Sequence, residues 1–556
     1  MRSYFVPLSL AAATFLAVGC GENKPVLKDE DGLAAFSADS LGKNIEVLAS
    51  DSFLGRMPFT KGEELTIDFL QKKFAAVGLE PGNGDSYLQD VPLVNIKTTT
   101  APDMQVNTPK GNFKLKGLED YVIWTNKTES VSLNNSDLVF AGYGVVAPEY
   151  NWNDYEGIDV KGKVVLVLVN DPGYNSGDST LFKGKTMTYY GRWTYKFEEA
   201  ARQGARGCLI IHNTEAASYP FAVVQNNWNG SRLRLDPRGK DEQHADVIGW
   251  ISGPAANKLL TATGYDSTLL AKADQRGFKA VPLNEQLTTS ISVQADYNKS
   301  HNVIGKITGA KRPNEYIIYT AHWDHLGVGK ADEKGDSIYN GAMDNASATA
   351  GLIEIARAFK SLPTPPERTI ILLAVTAEEQ GLLGSEYYAQ NPVYPVAQTV
   401  ANINMDVLNP FGKTADIIVV GRGQSDLEDY LQEASTKAGR HISYETHPEA
   451  GYYYRSDHFN FAKVGIPALY TERGIDVVGK GKEYGEQLDK EYNEQRYHRP
   501  ADNYDAATWT MEGAIDDLQL LFQVGKRLAF ETRMPEWKKG SEFKAIRDKS
   551  LAQPAQ

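Results

Sequence analysis

From His301 onward, short apolar runs of β-forming residues alternate with amphipathic helical stretches, and this alternation narrows the possible folds more than any other feature of the chain. The runs are NVIGKITG, EYIIYTA, RTIILLAVTA, TVANINMDVL, ADIIVVG and GIPALYT, with helices expected at NASATAGLIEIARAF and from Ser425. Such interleaving predicts an α/β fold in which a mostly parallel mixed sheet is sandwiched by helices. Ligands in folds of this kind bind beyond the carboxyl ends of the strands.

What stands at those ends is therefore informative. EYIIYTA runs into His322-Trp323-Asp324-His325, RTIILLAVTA into Glu378-Glu379, and TVANINM into Asp406, while Asp344 directly precedes the helix NASATAGLIEIA. Any one of these acids alone reads as a helix cap or solvated loop residue, and a lone histidine as a satisfied polar group. Together they form the ordered set HxD, GAxDNAS, EExGLxGS, NxMDV and a late YHxPxDN, which converges on one rim of the sheet. Carboxylates mixed with neutral imidazoles suit zinc, with manganese or cobalt as substitutes, far better than calcium or haem iron.

These motifs resemble the catalytic domain of the co-catalytic di-zinc peptidases, a group that includes bacterial leucyl aminopeptidases, glutamate carboxypeptidase II, glutaminyl cyclase and the transferrin receptor. The similarity covers His301 to about Ala529. It implies that His322 and Asp406 hold one zinc, that Glu379 and His498 hold a second, and that Asp344 bridges both. Each ion then has three protein ligands and an open position, as catalytic zinc does. Glu378 adjoins a ligand without being one, which by the resemblance makes it the general base acting on metal-activated water. Asp324 is expected to hydrogen-bond the free nitrogen of His322. Tyr453 falls where relatives place a phenol that donates to the oxyanion, with Tyr452 and Tyr454 as alternative registers. Asp457 and His458 match the family's SDH at the pocket floor. His325 either faces substrate or only packs.

The implied activity is a zinc-dependent exopeptidase, foremost an aminopeptidase releasing N-terminal residues from peptides. A carboxypeptidase would need cations for the substrate carboxylate, which Arg422, Arg455 and Arg473 offer. A cyclase uses the counterparts of Asp344, Glu379 and His498 alone, and a receptor-like binding module would have lost ligands; here all five are present.

At 556 residues the chain is too long for a single core. Between about Ser136 and Leu283, the pieces DLVFAGYG, DVKGKVVLV and EEAARQGARGCLII resemble the protease-associated domain, a module inserted into peptidases that carries no chemistry of its own. Its segment KGKTMTYYGRWTYK either covers the mouth of the site or is an exposed loop. Upstream, LTIDFLQKKFAAVG has helical periodicity and stops at Gly78. A net charge of −13 disfavours nucleic acid and anionic lipid surfaces as partners. The apolar run Tyr4–Val18 behind a basic start reads as an export signal, too short to span a membrane. Cys20 stands where lipoprotein precursors are acylated, which predicts a lipid anchor and a location facing the periplasm or cell exterior. Cys208 is then the other cysteine, and no intrachain disulfide is expected. The expected organisation is a signal peptide (1–19), a tether (20–31), the first part of the peptidase domain (32–135), the insert (136–283), the catalytic domain (284–535) and a C-terminal tail (536–556). Peptides are the expected partners, and the sequence leaves the oligomeric state open.

Overall fold

The structure is a computed structural model that describes residues 27–227 and 231–552. The signal peptide, Cys20 with its anchor, and the first part of the tether lie outside the described residues. No helix among those described is long and apolar enough to cross a membrane.

At the centre of the molecule is one strand, Val281–Ile307, whose 27 residues join two groups of strands into a single sheet. Its first half pairs antiparallel with Val131–Phe140, and its second half with Leu88–Thr100 and Arg368–Val375. Beyond Arg368–Val375 come Arg312–His322, Thr399–Met405 and Ala468–Arg473, all parallel to one another. Asp416–Val419 then closes the edge antiparallel to Ala468–Arg473 and is itself followed by His441–Tyr444. The central parallel strands are buried along almost their whole length, which explains their continuous apolar runs in place of alternation. Helices cover both faces. Ser347–Lys360 and Glu512–Phe530 pack on one side, with Ala38–Leu48 and Lys61–Ala76 against them; Leu383–Gln390 and His458–Lys463 lie on the other. The mixed α/β sheet sandwiched by helices is therefore the architecture expected from the alternation of runs.

The second body has its own parallel strands, Val164–Leu168, Gly207–Ile211 and Val247–Ile251, and its own hydrophobic cores. One of those cores draws on Met104, Val106, Leu115, Tyr121 and Ile123, well upstream of Ser136, because Tyr121–Trp124 pairs with the edge strand Val247–Ile251. Cys208 is fully buried there, and burial pushes its thiol above the ordinary range.

Both ends of the described residues are more firmly built in than a tether and a tail would be. The Lys526 ammonium donates to the carbonyls of Lys28, Asp29 and Asp31, tying the end of the expected tether to the helix Glu512–Phe530. The expected tail is ordered into a helix that runs to Ala552. Trp537 is buried and its indole donates to Gly465, while Arg547, on the helix Lys544–Ala552, donates to Val396 and Thr399.

Candidate metal centre

Each strand end delivers its acid or imidazole to a common point. His322 closes the strand Arg312–His322, Asp406 follows Thr399–Met405, and Glu378 and Glu379 follow Arg368–Val375. Several backbones at this rim hold strained left-handed conformations: Ala377 (φ 52°) before the two glutamates, Val407 (φ 63°) after Asp406, and His498 itself (φ 55°). Such conformations cost about 1–3 kcal/mol each and persist where the surroundings impose them, as functional sites do. At Gly341 (φ 54°) a Cβ would meet the Asp344 carbonyl at 2.2 Å and the His325 ring at 2.5 Å, so only glycine lets the chain turn into Asp344.

The expected donors converge. His322 Nε2 lies 3.1 Å from Asp344 Oδ1 and 3.4 Å from Asp406 Oδ1, is fully buried, and makes no hydrogen bond. On the other side of Asp344, His498 Nε2 is 3.3 Å from its Oδ2 and 3.0 Å from Glu379 Oε2. Asp344 thus offers one oxygen to each half of the site. His322, Asp344 and Asp406 form one compact donor group and His325, Asp344 and Glu379 another, with donor atoms in each within 4.8 Å of one another. His325, which the sequence left between two roles, places Nδ1 2.6 Å from Glu379 Oε1, so the oxygens of Glu379 are divided between His325 and His498. An imidazole nitrogen without a hydrogen bond, facing carboxylate oxygens in a buried pocket, is the donor arrangement a divalent cation completes. The residues present fit zinc at two adjoining positions.

Electrostatics agree. Burial alone would lower the His322 pKa, but Glu378, Asp344 and Asp406 hold it well above the usual imidazole range. Burial, reinforced by Glu379, Asp406 and Asp457, pushes Glu378 well above an ordinary carboxylate. Glu379 is desolvated too, yet His498 and His325 pull it down to about 2.

Supporting groups hold this set in place. The Asp324 carboxylate lies 3.7 Å from His322 Nδ1, and the Asp324 carbonyl is nearer, at 3.2 Å. Rather than holding the imidazole directly, the carboxylate accepts hydrogen bonds from the backbone amides of Glu378 (3.0 Å) and Glu379 (3.4 Å). Asp502 does the same for the bridging side, accepting from Met343 and Asp344 amides at 3.1 Å. Asp502 stands inside the YHxPxDN motif, so its position was visible in sequence although its task was not. Ser456 donates to Asp406 Oδ2 at 2.7 Å and is itself held by Asn404. Asp457 accepts from Ser385 at 2.5 Å. His458 is buried between the rings of Tyr453 (4.6 Å) and Tyr470 (4.7 Å), and burial lowers its pKa to about 3, so it is neutral.

Three findings lay beyond the sequence reading. Arg56 is completely buried, and its guanidinium donates to the carbonyls of Leu48, Trp323, Asn340 and Gly341, pinning the loops on either side of the site. Its signal, a lone arginine in SDSFLGRMP, carries no spacing that marks it. The Tyr453 ring is packed with Tyr454, His458 and Phe543, its hydroxyl is buried without a partner among the described residues, and the charges acting on it are Glu542 and Glu445. Tyr497 stacks on His498 with ring centroids 3.9 Å apart and is 42% exposed. Desolvation in the cleft and the carboxylates of Asp344, Glu379, Glu378 and Asp406 raise its pKa. Adjacency to His498, an expected ligand, was the available clue.

Of the cations considered for a substrate carboxylate, Arg473 is paired with Asp489, and the exposed Arg422 lies over Tyr444. The segment KGKTMTYYGRWTYK is a contact element: Met187 N donates to Pro448, Tyr454 donates to the Met187 carbonyl, and Glu542 receives Lys183, Tyr189 and Tyr454.

A family model described as Peptidase family M28 matches residues 302–523. Among curated proteins, aminopeptidase YwaD of Bacillus subtilis (strain 168) is 32% identical over 337 residues, which is 58% of this chain and 57% of that protein. A glutamate carboxypeptidase 2 homolog of Caenorhabditis elegans is 25% identical over 353 residues, covering 53% and 42%. The chain spans about half the length of these relatives. Among solved structures, the aminopeptidase from Aneurinibacillus sp. strain AM-1 is 19% identical, with 95% of this chain and 99% of that one covered and a TM-score of 0.48.

Proposed function

We propose that this chain, whose residues 302–523 match the model of peptidase family M28, is a zinc-dependent exopeptidase, foremost an aminopeptidase, using two metal ions per chain. The observation that carries the reading is Asp344, whose two oxygens face His322 with Asp406 on one side and His498 with Glu379 on the other. Zinc in such sites supplies Lewis acidity to a carbonyl and lowers the pKa of water toward 7.

The protein's own groups supply the rest. Glu378 stands 3.9 Å from His322 Nε2, unattached to the amide clamp that holds its backbone, and its raised pKa suits a group that accepts a proton from water and returns it to the leaving amine near neutral pH. Tyr497, on the exposed side of His498, is the phenol positioned to donate to the developing oxyanion. Asp324 and Asp502 fix the backbones that carry Glu378, Glu379 and Asp344, so the donors keep their separations through a cycle of proton transfer. Manganese or cobalt would be accepted by the same donors. The amphiphilic start of the sequence supports export and anchoring through Cys20 at the periplasmic or outer face.

The test is hydrolysis of aminoacyl anilides and of N-blocked peptides by the mature chain beside Glu378→Gln. Loss of the proton shuttle should lower kcat by roughly 10²–10⁴-fold with metal content intact. A variant with full activity removes Glu378 from the mechanism, and release from the carboxyl end of blocked peptides reverses the assigned direction.

A further inference from the structure

Two short turns pack against each other where the insert meets the catalytic body, and each is followed by an arginine. The turn Tyr189–Gly191 leads into Arg192, and Tyr452–Tyr454 into Arg455. The Tyr189 ring lies 6.1 Å from that of Tyr454 and 5.1 Å from Phe459, and the Tyr454 hydroxyl donates to the Met187 carbonyl, so the turns are held in register. Behind them, buried Asp171 accepts from both the amide and the hydroxyl of Thr188, fixing the approach to Arg192.

Neither guanidinium has a carboxylate partner among the described residues. Arg192 rests over the Trp193 ring and makes no side-chain hydrogen bond or ion pair. Arg455 lies over Tyr452 and donates once, to the Ala450 carbonyl. Both are half-buried, and the Nε of each is buried without a partner. Arg455 is among the groups that act on Arg192, and it acts repulsively; the other near neighbours are the phenols Tyr219, Tyr189 and Tyr454. In a chain of net charge −13, two partly desolvated cations on two packed turns, each with a buried and unpartnered Nε, are costly unless an anion joins them. A guanidinium's planar fork matches a carboxylate with two parallel N–H···O bonds. Arg455 is also next to Ser456, whose hydroxyl holds the ligand Asp406 at 2.7 Å, so the pair is tied by one peptide unit to the metal rim.

We propose that Arg192 of the insert and Arg455 of the catalytic body form a subsite for a carboxylate of the peptide substrate, making the enzyme selective for short peptides that present a free carboxylate near the scissile bond. This rests on the peptidase reading above and assigns the insert a share in substrate choice. The carboxylate comes either from the C-terminus of a short peptide or from an acidic side chain.

The zinc-loaded full chain is assayed on Leu-Ala-Leu as free acid and as amide, and on Leu-Glu amide beside Leu-Gln amide. The expected result is a KM lower by roughly tenfold to a hundredfold for the peptide bearing the carboxylate, the worth of a charge-assisted hydrogen bond. Arg192→Gln and Arg455→Gln should each bring that ratio toward one, Arg192→Lys should keep part of it, and Arg422→Gln should leave it in place. Preference in the first pair assigns the C-terminus, and preference in the second the side chain; both support the subsite. An acid-to-amide ratio that is the same in wild type and both glutamine variants overturns it. If the wild type cleaves none of these peptides, the peptidase reading fails, and calorimetry of the same four peptides on wild type and Arg192→Gln decides the subsite separately: tighter binding of the carboxylate form, lost in the variant, supports it, and equal binding overturns it.

Discussion

The insert and the catalytic body each bury a cluster of charges, and they resolve the cost in opposite ways. In the insert, Asp154 accepts from the Tyr143 and Val145 amides and the Trp152 indole, Asp171 from the Gly173 and Thr188 amides and the Thr188 hydroxyl. Lys196, fully buried, donates to the Asn170 carbonyl and supplies the compensating positive charge. Burial draws all three toward neutrality, raising both acids and lowering the amine to about 7. In the catalytic body, Asp324, Asp344, Glu378, Glu379, Asp406, Asp457 and Asp502 face three imidazoles and the buried guanidinium of Arg56, whose hydrogen bonds all go to carbonyls. His322 Nε2 and His325 Nε2 remain without partners. A cluster that closes on itself is architecture, whereas one left with excess negative charge and idle donors is prepared for cations from outside.

The most severe way to break this contrast is to deny the acidic cluster the cations it is proposed to hold. Stripping metal with a chelator, or substituting Asp344→Ala so that both donor groups lose their shared member, should reduce hydrolysis by more than about 10³-fold, the several kcal/mol that cation stabilisation supplies. Zinc should restore the stripped protein and not the variant. Elemental analysis should find two ions in the wild type and a deficit in Asp344→Ala. Retained activity in stripped protein would place the acidic cluster with the insert's, as structure.

The converse experiment spares the metal site. Lys196→Met leaves two buried carboxylates without their cation and should destabilise the fold by about 3–5 kcal/mol in denaturant titration. Metal stoichiometry and kcat per folded molecule should hold. Adding Asp171→Asn to the variant should recover part of the loss, because the orphaned charge is then gone. A fall in zinc content would mean that the two clusters are coupled and the comparison is false.

These differences bear on what was legible in the sequence. The central sheet could be read because parallel strands buried on both faces leave continuous apolar runs, and His322, Glu379 and Asp406 because each stands at or just beyond the end of such a run, while Asp344 and His498 were visible only through their motifs. His322, Asp344, Glu379, Asp406 and His498 meet as their motifs implied. Groups that act through the backbone were hidden. Arg56 binds four carbonyls far apart in sequence, so nothing in its neighbours announces it. The surroundings of Tyr453 and Tyr497 were hidden too, because they depend on the turn Tyr452–Tyr454 and the left-handed His498, and neither leaves a periodic trace. The double duty of Val281–Ile307 was invisible for a similar reason: alternation marks a strand but not which neighbours pair with its two halves.

Glu285, in the insert half of that strand, provides the finest test of the comparison. It is fully buried and neither carboxylate oxygen has a partner among the described residues, so it has neither the donors of Asp154 nor the imidazoles that face Asp344. Its remaining recourse is to keep its proton, and burial raises its pKa from 4.5 to about 8. The folded state therefore binds this proton more tightly than the unfolded one. Its contribution to stability is complete below about pH 4.5 and declines as pH rises toward about 8, the folded value. Glu285→Gln cannot ionise and should abolish that decline. The variant should match the wild type near pH 4.5 and exceed it at pH 8.5 by on the order of 1–2 kcal/mol, discounting the full shift for water that reaches the strand as it breathes. Denaturant titrations at the two pH values measure the difference. Equal pH dependence in both proteins would mean that Glu285 is ionised and compensated in the fold, and the distinction between closed and open charge clusters would then have to rest on the metal site and Lys196 alone.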